Sequence, residues 1–147
     1  MKWSADQYVK FEEERTRPVR DLLARVPNRT AENAADLGCG PGNSTELLYE
    51  RFPGAAVVGV DNSDEMLEAA RQRLPNVRFQ FSDIGNWSES GPFDVLLANA
   101  VLQWVPGHRE LLPRLMGKLA PSGTLAFQIP DNLEDPAHCV MRQIARK

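Results

Sequence analysis

From Ala34 onward, short apolar runs alternate with stretches whose apolar residues recur at helical spacing. Ala34 to Leu37 predicts a short buried strand that runs into a glycine cluster. Pro41 to Phe52 follows, with Leu47, Leu48 and Phe52 on one helical face. Ala55 to Val60 is again apolar and too short for a helix. Ser63 to Leu74 predicts the next helix: Ser63 stands at the N-cap, Asp64 and Glu65 occupy the first turn, and Met66, Leu67, Ala70 and Leu74 share a side. Pro75-Asn76 stops it. Val77 to Phe81 alternates like a strand, and Phe93 to Ala98 reads as a central one. Leu111, Leu112, Leu115, Met116 and Leu119 trace a further helical face, which Pro121-Ser122-Gly123 is expected to end before a fifth strand over Thr124 to Ile129. Alternation of this kind implies right-handed crossovers and a parallel sheet covered on both faces, a Rossmann-like doubly wound α/β fold.

The two ends depart from that rhythm. In the segment from 3 to 26, Ser4 and Gln7 form a capping-box pair and Pro18 is placed to open a second helix. Val19, Leu22, Leu23 and Val26 would supply its apolar face. The division expected is therefore an N-terminal helical cap over 1–30 and an α/β domain over 31–147. Pro136 to Lys147 begins an amphipathic helix with Val140, Met141 and Ile144, and then the sequence stops. An open sheet ending on its fifth strand exposes an apolar edge, so the fold is expected to be truncated there.

Composition narrows the class. The 147 residues suit one domain, and 42% hydrophobic with 25% charged residues excludes wholesale disorder. No apolar run approaches the roughly 18 residues of a membrane span, and Met1 to Gln7 holds no secretory apolar core, so a cytoplasmic location is expected. With a net charge of −3, neither nucleic acid nor an anionic membrane is an expected partner. Cys39 and Cys139 fit neither a disulfide framework nor a zinc pattern, and no metal site is expected.

The chemistry concentrates where the first strand meets the first helix of the alternating part. Asp36-Leu37-Gly38-Cys39-Gly40-Pro41-Gly42-Asn43-Ser44-Thr45 combines a strand end, a sharp glycine turn and a helix start with free N–H groups. Asp61 closes the next strand, 23 residues after Gly38, where a carboxylate accepts hydrogen bonds from both hydroxyls of a ribose. A dinucleotide fold usually spaces its glycines G-x-G-x-x-G, whereas here they stand at Gly38, Gly40 and Gly42.

On these residues the sequence resembles the class I S-adenosylmethionine-dependent methyltransferases, whose first motif is an acidic residue followed by G-x-G-x-G. The resemblance implies S-adenosyl-L-methionine as cofactor and S-adenosyl-L-homocysteine as product. It implies a loop of Asp36, Gly38, Cys39, Gly40, Asn43 and Ser44 around the methionine moiety, and Asp61 with Asn62 at the ribose. Asp83 would hold the adenine amino group beside Ile84, an apolar shelf. Asn99-Ala100 would offer the carbonyl that receives the methionine ammonium. Met66 either covers the adenine or fills the core.

Asn99-Ala100-Val101-Leu102-Gln103-Trp104, Pro130-Asp131-Asn132 and the N-terminal Trp3, Tyr8, Phe11, Glu14-Arg15, Arg17-Pro18 and Leu22 to Pro27 are similar to a branch of that family that methylates a carboxyl group of small polycarboxylic acids. The implied substrate is of the trans-aconitate kind, with Trp3, Tyr8, Arg15, Arg17, Gln103 and Trp104 as candidate binding residues. The basic residues have another reading as exposed partners of Glu12, Glu13 and Glu14. A carboxylate is already ionised at neutral pH and needs no general base, so catalysis by positioning is expected, with His108 and His138 as packing or solvent residues. Two alternatives stay open: an NAD-type dinucleotide-binding oxidoreductase, and an incomplete cofactor-binding module inactive alone.

Overall fold

The computed structural model describes residues 12–131 and, beyond them, 134–136, 140, 141 and 144, with side chains from Thr16 onward. In chain order the elements are α1 (Glu12–Ala24), β1 (Asn33–Leu37), α2 (Asn43–Arg51), β2 (Ala56–Asp61), α3 (Asp64–Arg73), β3 (Arg78–Phe81), β4 (Phe93–Asn99), α4 (His108–Met116) and β5 (Leu119–Gln128). Two short 3-10 turns, Ile84–Asn86 and Leu102–Trp104, follow β3 and β4. The five strands form one parallel sheet in the order β3-β2-β1-β4-β5. The order reverses beside β1, and in open sheets of this kind ligands bind outside the carboxyl ends at such a switch point.

Alternation along β4 sorts the core into two layers. Leu96 and Ala98 face a cluster with Trp87, Leu102, Leu111 and Leu115, which α4 covers. Val95 and Leu97 face the other, with Ala34, Val57 and Ala126 under Leu48 and Phe52. Each fully buried Leu or Val there stabilises the fold by about 1.5–3 kcal/mol relative to leaving it exposed. The Ser63 hydroxyl accepts from the Met66 amide at 3.4 Å, the N-cap that the sequence implies, and it fixes the start of α3.

Two expectations need correction. Pro18 does not open a helix but lies inside α1, where its ring removes one backbone donor without ending the element. Val19 and Leu23, with Val26 just beyond, sit in the same core cluster as Leu48 and Val95, so this part of the N-terminal segment is built into the sheet's own covering layer. The Ser4–Gln7 pair lies outside the described residues.

Near the other end, α4 stops at Met116, which is half exposed, and Leu119 already belongs to β5. Pro121-Ser122-Gly123 lies within β5 and ends no helix. Its register against β4 jumps from Phe93↔Leu119 to Val95↔Thr124, so the three residues form a bulged detour, with Ser122 at φ 68°. Gly123 makes the detour possible because a Cβ there would stand 2.7 Å from the Phe93 carbonyl oxygen. Among the described residues β5 pairs with β4 alone, and proline is tolerated on such an outer strand. The Val140, Met141 and Ile144 side chains are exposed.

Candidate active site

A cleft of about 640 Å³ opens at the carboxyl ends of the strands. Its floor begins where β1 turns into α2. The Gly38 and Cys39 amides both donate to the Val60 carbonyl, at 2.8 and 3.0 Å, which folds the turn across the end of β2. All three loop glycines have positive φ, but for different reasons. At Gly38 a Cβ would lie 2.3 Å from a Val101 methyl, so the constraint is contact with the segment after β4. At Gly42 a Cβ would press on Ala70 of α3 at 3.3 Å. At Gly40 nothing lies within 4 Å, and that glycine faces the cleft.

Two carboxylates hold the loop from opposite sides. Asp36 is fully buried, and one of its oxygens accepts from the Ser44 and Thr45 hydroxyls, each at 2.7 Å. Burial pushes its pKa up to about 6; the two hydroxyls oppose that rise and the Asp61 charge adds to it. Asp61, at the end of β2, accepts from the Gly40 amide at 2.9 Å and from the Ser63 amide at 3.0 Å. Burial raises its pKa as well, against the pull of those backbone donors. Both loop and carboxylate line the cleft. Burial also pushes the Cys39 thiol up, so it is an inert packing group.

Beyond β3, the Asp83 carboxylate accepts from the Gly85 amide at 2.7 Å and caps the turn that presents Ile84 to the cleft. Beyond β4, Ala100 adopts φ 51°, unusual for a residue with a Cβ. Two bonds hold it there: its amide donates to the Gln128 carbonyl at 2.9 Å, and its carbonyl accepts from Gln103 Nε2 at 2.8 Å. Trp104 lines the same wall while two-thirds exposed. His108 is turned away from this chemistry, since its Nε2 meets the Leu102 carbonyl at 2.7 Å.

Of the residues singled out in the sequence, Gly38, Gly40, Asp61, Asn62, Met66, Asp83 and Ile84 line one part of the cleft, and Asn99, Ala100, Gln103 and Trp104 line the other. Met66 is also almost fully buried, so its two readings coincide. Four loop residues do not reach the cleft. Asp36, Cys39, Asn43 and Ser44 are buried behind it, and Asp36 with Ser44 braces the turn from beneath. Arg17 is exposed and is not among the lining residues, whereas its neighbour Pro18 is. Trp3 and Tyr8 lie outside the described residues, as does the Arg15 side chain. The sequence places Thr45 at the end of the glycine motif without giving its hydroxyl a role, and it offers no local signature for Gln128, a lone polar residue at a strand end.

A parallel sheet in the order 3-2-1-4-5, with a glycine turn after its central strand and a carboxylate closing the next, defines a Rossmann-like cofactor-binding domain of the methyltransferase type. The chain belongs to the methyltransferase domain family, which residues 34–123 match. It is 55% identical over 147 residues to the trans-aconitate 2-methyltransferase of Rhizobium meliloti (strain 1021), covering all of this chain and 57% of that protein. With the protein of the same name from Methylobacterium nodulans it shares 57% over 143 residues, which is 97% of this chain and 55% of the relative. The chain thus spans a little over half the length of these relatives. Among solved structures, a putative methyltransferase of Haloferax volcanii bound to a methyltransferase activator has a TM-score of 0.76 at 23% identity, with 86% of this chain and 58% of that one covered. The plantazolicin methyltransferase, solved with a pentazolic desmethylPZN analogue and S-adenosylhomocysteine, has a TM-score of 0.75 at 23% identity, covering 88% of this chain and 53% of that one. Both share this fold.

Proposed function

We propose that this chain binds S-adenosylmethionine and takes part in transferring its methyl group to a carboxylate of a small polycarboxylic acid, trans-aconitate in the first instance. The observation that carries the cofactor reading is the junction of Gly40 and Asp61. A glycine open to the cleft is tied at 2.9 Å to a carboxylate that also lines it. That donor set suits the group: open backbone for a thioether chain, a carboxylate for a ribose diol, and Asp83 beside Ile84 for an amino-bearing aromatic ring. When bound, the cofactor supplies an electrophilic methyl on a sulfonium sulfur.

The residues have positioning work to do. Asp61 would orient the diol, and Met66 and Ile84 would shield the ring from water. Holding reactants in line can be worth about 7–11 kcal/mol, which is enough for a carboxylate nucleophile that needs no proton removed. The substrate class rests on the relatives' names and on Gln103 and Trp104 along the cleft wall.

An NAD-type ligand suits these walls less well. The charged side chains lining the cleft, among the described residues, are the carboxylates Asp61 and Asp83, which favour a ligand of net positive charge over a pyrophosphate. The first turn of α2 already turns its hydroxyls onto the buried Asp36, so a phosphate there would approach an internal acid. Calorimetric titration with S-adenosylhomocysteine and with NAD, each in separate runs, tests this. Tighter binding of NAD would overturn the cofactor assignment. Incubation of trans-aconitate with S-adenosylmethionine and the protein, in a polypeptide of the relatives' full length, is expected to give a product heavier by one methylene.

A further inference from the structure

The cleft is chemically divided along the strand order. Asp83 follows β3 and Asp61 ends β2, on one side of β1, and both are acidic. On the other side, the ends of β4 and β5 present neutral amides: Asn99, Gln103 and Gln128 all line the cleft. An anion entering the cleft is repelled at the first half and met by dipoles at the second.

Asn99 and Gln128 are register partners, so their side chains leave the sheet on the same face. Gln128 Nε2 donates to Asn99 Oδ1. In that bond the Asn99 oxygen is taken, and its Nδ2 hydrogens have no partner among the described residues. The Gln128 main chain also anchors the strained Ala100 next door. Neutral donors of this kind bind a carboxylate through charge-assisted hydrogen bonds without placing a second formal charge in the cleft.

Resting on the function proposed above, we infer that Gln128 is a positioning residue that orients the Asn99 amide so that Nδ2 donates to a carboxylate of the acid substrate. Losing a hydrogen bond to a charged group is expected to weaken acid binding about tenfold. Gln128→Met removes the donor at similar size and leaves the Asn99 amide free to turn its oxygen outward. Gln128→Glu puts an acceptor where the donor stood, so the Asn99 amide must reverse to meet it; protonating the introduced carboxyl restores a donor and the original orientation.

The test is side-chain amide NMR on the whole chain saturated with S-adenosylhomocysteine and titrated with trans-aconitate. The expected result is that the Asn99 side-chain resonances move with trans-aconitate. Gln128→Met should shift the midpoint about tenfold upward while S-adenosylhomocysteine affinity stays within about twofold. In Gln128→Glu the Asn99 resonances should differ from wild type at neutral pH and return towards it in mild acid. Should either Gln128 variant fail to fold, Asn99→Ser removes the donors directly and is expected to give the same loss. The inference is overturned if saturating trans-aconitate leaves the Asn99 side chain unmoved, if Gln128→Met binds the acid as wild type does, or if S-adenosylhomocysteine alone produces the whole Asn99 shift. Failure of the cofactor reading looks different: the Gly40 and Asp61 backbone amides would then not respond to S-adenosylhomocysteine.

Discussion

Replacing Asp36 by Asn should change how stability depends on pH, in a direction set by burial. The wild-type carboxyl has a pKa of about 6 in the folded protein against 3.8 when unfolded. Because the folded value is the higher one, the folded state binds more protons between those limits, and the contribution of this group is greatest in acid. It falls as pH rises through the folded value. From the two values, the loss between pH 4 and pH 7 is about 2–2.5 kcal/mol, at about 1.4 kcal/mol per unit of pKa. Asp36→Asn keeps an oxygen for Ser44 and Thr45 but cannot titrate. The stability of Asp36→Asn minus that of wild type should therefore rise by that amount across the range, and taking the difference cancels the titrating groups that do not sense the Asp36 charge. Urea unfolding at half-unit pH steps measures it. A difference flat to within about 0.5 kcal/mol, well below the linkage value, would refute the reasoning, and so would one that falls with pH. A flat difference would mean that the two hydroxyls balance burial, and a falling one that they outweigh it.

Gly38→Ala and Gly40→Ala should separate structure from binding. Both pay for a left-handed backbone, about 1–2 kcal/mol, but only the first drives a methyl into Val101, so Gly38→Ala should melt at the lower temperature. Gly40→Ala should melt closer to wild type yet bind S-adenosylhomocysteine more weakly; normal binding would place the ligand away from this loop. Asp61→Ala removes a charged acceptor and is expected to weaken S-adenosylhomocysteine by about 1–3 kcal/mol in calorimetry, and an unchanged affinity with the fold intact would move the ribose elsewhere.

The strands around β1 were legible because each is a short apolar run bounded by glycine, proline or a capping residue, and those signals are local. The start of β5 was not. Pro121-Ser122-Gly123 carries the local signature of a helix stop, and only pairing with β4 makes it a bulge inside a strand. Pro18 misled in the same way, since the packing of Val19 and Leu23 outweighs its tendency to begin a helix. Within the site, Asp61 and the glycines were legible through their spacing after strands, and Asp83 only through the family resemblance. The buried bracing role of Asp36 was not, because spacing cannot say which side of a loop an acid faces. Gln128 was invisible for a different reason: its partner Asn99 is 29 residues away, and no motif marks the pair.

The contact between Gly38 and Val101 has a consequence for how this molecule can be altered. It joins the loop after β1 to the segment after β4 at the switch point, with no room for one extra methyl group. The two positions therefore behave as a single volume shared between the acidic half and the amide half of the cleft. Enlarging one calls for shrinking the other, so Gly38→Ala combined with Val101→Ala should recover more stability than the separate effects sum to. Any attempt to re-shape the amide-lined wall by substitutions at 101 will also move the glycine floor of the cleft. The halves can be tuned, but only together.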